Sequence, residues 1–118
     1  MKNLKNQTVI LIIIVLIFGF FLSGCVSSSL YTWGRYQDAV YAQLNGESPE
    51  SQMSMMEKDL QKIASGSKPA PPGFYAHLGM LCSVTGDRSR AIEYFKEEKT
   101  RFPESTPFMN RLLSAYGE

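Results

Sequence analysis

The chain of 118 residues has little of what catalysis usually draws on. It holds one histidine, His77, and two cysteines, Cys25 and Cys82. No CxxC pair and no metal-type Cys/His spacing occurs, so no metal site and no cofactor are expected. His77 has neither a second histidine nor a carboxylate close to it in sequence. A catalytic site would have to gather acids from distant positions. Charge of one sign is missing too, with twelve Lys and Arg against eleven Asp and Glu. That balance lacks the basic patch that nucleic-acid binding needs. Strand patterning is absent as well, and the chain is read as all-α.

What is present begins at the N-terminus. Lys2 and Lys5 precede an unbroken apolar run from Val9 to Leu22. Fourteen residues are short for a membrane span, which takes about 20, and suit the core of a secretory signal peptide. Leu22-Ser23-Gly24-Cys25 follows directly and resembles a bacterial lipobox. The resemblance implies cleavage after Gly24 and a thioether-linked diacylglycerol on the Cys25 thiol. Residues 1–24 are then the signal peptide, 25–30 a lipidated tether, and 31–118 the folded domain. The mature part keeps ten basic and eleven acidic residues, a net charge near −1. Five extended residues after the lipid reach about 17 Å, so the domain should sit against the membrane. Val26 is not the aspartate that retains enteric-type lipoproteins at the inner membrane, which points to the periplasmic face of an outer membrane. Cys82 is left without a partner and reads as a small buried hydrophobe.

Helical spacing organises the rest into about five helices, near 33–44, 49–65, 73–85, 88–101 and 107–116. In the first, Trp33, Tyr36, Val40 and Leu44 share a face and are expected in the core, and Asn45-Gly46 ends the helix. Ser48-Pro49-Glu50 opens the second as cap, first-turn proline and acid. Its apolar face is Met53, Met56, Leu60 and Ile63. A proline-rich loop, 68–73, leads into the third. Thr106-Pro107 opens the last helix. There Phe108, Leu112 and Tyr116, with Met109 and Leu113 beside them, are expected to cover an otherwise exposed edge.

The third and fourth helices form the most legible unit. Tyr75, Leu78, Gly79 and Cys82 are followed by Gly86-Asp87, then Ala91, Phe95 and Pro103. This pattern resembles a tetratricopeptide repeat over about Pro72 to Ser105. A mid-helix glycine costs about 1 kcal/mol against alanine, so Gly79 predicts close approach of another backbone, with Ala91 facing it. Gly86 is placed to close the first helix, Asp87 to cap the second, and Glu97 to pair with Arg101. Glu98 stands where such repeats carry a small residue. In such repeats the positions of Ala76, His77, Met80, Ser83 and Val84 face a concave groove, which makes them candidate partner-binding residues. The first two helices are candidates for a degenerate second copy, without a convincing alignment.

Several stretches taken together resemble one family. They are the lipobox, Leu30-Tyr31-Thr32-Trp33-Gly34-Arg35-Tyr36 with Val40-Tyr41, Pro71-Pro72-Gly73-Phe74-Tyr75-Ala76-His77-Leu78-Gly79, and Phe102-Pro103-Glu104-Ser105 through Arg111-Leu112-Leu113. The chain is similar to the small bacterial lipoproteins grouped as domain of unknown function 4810. That family offers no catalytic residues to carry over. The resemblance implies an envelope lipoprotein often encoded beside a lipoprotein similar to the curli secretion channel. The expected role is a non-enzymatic, membrane-anchored module that binds an envelope protein, with no small-molecule substrate. Two alternatives stay open: an envelope-polymer hydrolase built from distant acids, and a self-associating structural lipoprotein.

Overall fold

In a computed structural model, residues 2–21 and 28–118 are described. The lipobox and Cys25 lie outside them. All regular structure among the described residues is helical. Helix α1 runs Lys2–Phe21, α2 Tyr36–Leu44, α3 Pro49–Ser65, α4 Phe74–Val84 and α5 Arg88–Arg101. A short 3₁₀ turn, Pro103–Ser105, leads into α6, Thr106–Ser114. Among the described residues, no helix is long and apolar enough to cross a membrane.

The boundaries follow local chemistry. Ser48 accepts from the backbone N–H of Ser51 at the start of α3, with Pro49 at the first helical position. Asp87 accepts from Arg90 N–H at 3.1 Å and opens α5. Gly86, at φ +85°, turns the chain out of α4. Such caps satisfy N–H groups that a helix end otherwise leaves bare. The helix expected from residue 33 starts instead at Tyr36. Gly34, at φ +49°, sits in the turn before it and holds Trp33 outside the helix.

The core has two parts. One gathers Ala39 of α2, Met56 and Ile63 of α3, and Phe74, Leu78 and Leu81 of α4. The other gathers Cys82 of α4, Ala91 and Phe95 of α5, and Met109 and Leu113 of α6. The expected core stripe of Trp33, Tyr36, Val40 and Leu44 is not what α2 buries. Ala39 and Ala42 are the buried residues of α2, whereas Leu44 is 79% exposed and Trp33 lies partly open between Tyr31 and Tyr36. The reason is spacing: α2 packs closely on α3, and close packing selects the small side chains for the contact. On α3, half of the buried face is polar. Gln52 and Asp59 are fully buried beside Met56 and Ile63, while Met53 and Leu60 are only half-buried.

Hairpin α4–α5 is held tightest at Gly79. A Cβ placed there would stand 2.6 Å from the Phe95 ring and 3.2 Å from the Ala91 carbonyl oxygen. The backbone approach expected from the sequence is present, and Ala91 is its partner. Glu97 pairs with Arg101, whose guanidinium also lies 5.2 Å over the Tyr75 ring.

Glu98 settles a point that the sequence left unplaced. The residue is 2% exposed, and its carboxylate turns back to the start of α4, accepting from Gly73 N–H at 2.7 Å and Ala76 N–H at 3.2 Å. A buried anion is tolerable there because bare N–H groups and the positive end of the helix receive it. Asp59 of α3 does the same for α2, accepting from Arg35 N–H and from Lys62 Nζ. The two hairpins are therefore copies of one plan. Gly34 and Gly73 both take positive φ before the first helix. Ser48 and Asp87 both cap the second helix, and Asp59 and Glu98 both reach back. All three pairs stand at the same interval of 39 positions.

Candidate functional site

Helices α2, α4 and α6 share one side of the domain and border an open cavity of about 500 Å³. From α4 come Ala76, His77, Met80 and Ser83; α2 adds Tyr36 and Val40. From α6 come Phe108 and Leu112, with Ala115 and Tyr116 just past its end, and Phe95 and Gly73 complete the lining. No lining side chain is an acid, a lysine or an arginine. The size falls within the range of about 300–1,000 Å³ typical of ligand pockets.

Four of the five groove residues expected from the sequence therefore meet here. Val84 does not. It is the last residue of α4 and 65% exposed. The Tyr116 hydroxyl donates to Ser83 Oγ and closes that end of the cavity, leaving Val84 beyond it.

The terminal helix takes a second role besides covering an edge. Met109 and Leu113 enter the core, while Phe108, 60% exposed, and Leu112 turn to the cavity. The sequence sets Phe108, Leu112 and Tyr116 on one face with Met109 and Leu113 beside them, but gives all five the same covering role. The signal that separates them is their number: two adjacent apolar faces on nine residues are more than one contact needs.

His77 is the one ionisable group with a near-neutral intrinsic pKa in the lining. Burial lowers its pKa from the ordinary 6.5, which favours the neutral ring. Its Nε2 lies 3.2 Å from Gln52 Oε1, and its ring meets that of Tyr36 edge-on at 6.1 Å. Gln52 was invisible to a hydrophobic count because it is polar and fully buried.

Acids collect elsewhere. A cleft of about 630 Å³ beside α3 and α5 contains Glu93, Glu97, Tyr94 and Arg101. A shallower one of about 420 Å³ contains Glu50, Glu57, Asp87 and Arg90. Arginines engage three of these acids: Glu97 binds Arg101, while Glu57 and Asp87 both bind Arg90. Among the described residues, no three His, Cys, Asp or Glu side chains converge to hold a metal ion. Cys82 is buried, and burial pushes its thiol pKa up, away from the reactive thiolate.

Comparison with solved structures finds no match. Comparison with family models finds one that spans residues 30–112, from the segment before α2 into α6, and so takes in both hairpins and most of the cavity wall. The chain belongs to the DUF4810 family, a domain of unknown function.

Proposed function

We propose that this protein is a lipid-anchored envelope module that holds a partner protein near the membrane through the cavity between α2, α4 and α6. The observation that carries this reading is the cavity itself: apolar, uncharged and open, with α6 forming a wall instead of filling it. The two hairpins, read as tetratricopeptide-like units, would present such a face to an apolar or amphipathic segment laid in the groove. The sequence supports the anchor, through the apolar run and Leu22-Ser23-Gly24-Cys25. Diacylglycerol on Cys25 would confine the module to a surface and raise the effective concentration of a partner there, so a shallow groove suffices. The resemblance to lipoproteins encoded beside a curli-secretion-channel-like lipoprotein favours an accessory role in outer-membrane assembly.

Met80→Glu tests the groove. Met80 lines the cavity and is only half-buried, so the charge should abolish capture of the partner from native membranes with little change in thermal midpoint. A variant that fails to fold would make this face core, and the groove reading would be wrong. Mass analysis of the mature chain tests the anchor. A diacylglycerol-modified N-terminal Cys25 is expected, and an unmodified N-terminus elsewhere refutes it.

A further inference from the structure

We infer that the end of the domain where the tether enters, carrying Leu30 and Trp33, inserts into the headgroup zone of the lipid bilayer. This rests on Cys25 bearing the lipid. The chain joins the body of the domain at Thr32. Its N–H donates at 2.8 Å to the Pro69 carbonyl, and its hydroxyl donates at 3.1 Å to the Lys68 carbonyl. A local turn stands just before it, where the Ser29 hydroxyl donates to the Tyr31 carbonyl at 2.8 Å and accepts from Tyr31 N–H at 3.3 Å. Thr32 is seven positions after Cys25. Seven residues span about 25 Å at full extension, and the turn at Ser29 shortens that reach. The lipid therefore keeps this end within that distance of the bilayer, whichever way the rest of the domain turns.

What the tether brings there is apolar and aromatic. Leu30 and Trp33 are exposed. Tyr31 meets the rings of Trp33 and buried Phe102 edge-on at 6.4 and 6.3 Å. Trp33 also stacks on Tyr36 at 6.3 Å, and Tyr36 packs on buried Phe74 at 5.8 Å. The indole is thus held against the body of the domain while part of it stays open. Tryptophan and tyrosine join an apolar ring to a polar tip and favour the headgroup zone. A protein covering this end would have to enter the short space between domain and bilayer, where lipid already stands. Net charge supplies no attraction, since the mature part holds eleven acidic and ten basic residues. Burial of Leu30 and the Trp33 ring supplies it, and the tether raises the effective concentration of the surface. Orientation follows, because Tyr36 also lines the cavity. Docking sets the α2 wall of the cavity one ring away from the lipid and presents it to a partner segment at the bilayer surface.

Trp33 is the only tryptophan of the chain, so its fluorescence reads this end without a label. The mature chain, purified from membranes, is reconstituted into vesicles of phosphatidylethanolamine with a minor share of phosphatidylglycerol. Emission at shorter wavelength, shielding from aqueous acrylamide and quenching by phosphatidylcholine brominated on its acyl chains are expected. Leu30→Gln, at an exposed site, should lower the ratio of docked to undocked domain about tenfold, the order of one buried leucine side chain. It is read as recovered emission and acrylamide access, with circular dichroism unchanged. A lipid-bearing chain that floats with the vesicles while Trp33 stays open to acrylamide and unquenched by bromine overturns the inference and leaves the anchor standing. Trp33 shielded from acrylamide but unquenched by bromine puts protein, such as a second copy, against this end and overturns it too. Quenching that Leu30→Gln leaves unchanged reduces the contact to nearness imposed by the tether, and insertion falls. A mature chain that carries no lipid and does not float overturns the anchor reading together with the inference.

Discussion

Replacing Glu98 by glutamine changes one atom and separates charge from shape. In the native chain the carboxylate accepts two backbone N–H groups, from Gly73 and Ala76, at 2.7 and 3.2 Å. Hydrogen bonds to a charged group contribute about 1.5–3 kcal/mol each, and an anion at a helix N-terminus adds about 0.3–1 kcal/mol. Glutamine keeps one acceptor and turns an NH₂ towards the other N–H. It should lose about half of the interaction, roughly 2 kcal/mol after side-chain relaxation. Glu98→Ala loses both acceptors and leaves a void, so about 3–4 kcal/mol is expected. For a domain of this size each kcal/mol lowers the melting midpoint by about 4–8 °C. Thermal unfolding followed by circular dichroism should therefore show a drop of about 8–16 °C for glutamine and a larger one for alanine. Amide exchange at Gly73 and Ala76 should quicken first. A glutamine variant as stable as the native chain, with those two amides still protected, would refute the capping role. Asp59→Asn in the other hairpin keeps an acceptor for Arg35 N–H and loses only the pairing with Lys62, so a smaller drop is expected.

Gly79→Leu should destabilise the chain by about 1–3 kcal/mol or more through overpacking, since even a Cβ meets the Phe95 ring at 2.6 Å. An unchanged urea midpoint would show that the helices part without cost. For His77 the folded pKa is depressed below 6.5 by burial. The stability its neutral form contributes is present above pH 6.5 and is lost as pH falls through the lower folded value. Native chain and a His77→Gln variant compared from pH 7.5 to 4.5 should therefore diverge only in the acidic range, the native one losing more. Parallel curves would mean that the ring is freely hydrated.

Sequence alone determined the helical class and nearly every helix end, because caps and stops are local chemistry. Ser48, Asp87 and Gly86 act within a few residues of where they stand, so their roles are legible without a fold. Gly79 was legible too, since a glycine inside a helix costs stability that only a close neighbour repays. Tertiary structure decided what Asp59 and Glu98 do. Their partners lie 24 and 25 positions away in the chain, and no short-range pattern marks a carboxylate that reaches back to another helix. It also decided that the chain carries one hairpin plan twice. The copies share turn and cap positions but bury Ala39 in one and Leu78 in the other, so side-chain identity hides what backbone geometry keeps. The cavity belongs to the same category: Tyr36, Met80 and Phe108 sit on three separate helices, and only packing brings them to one face.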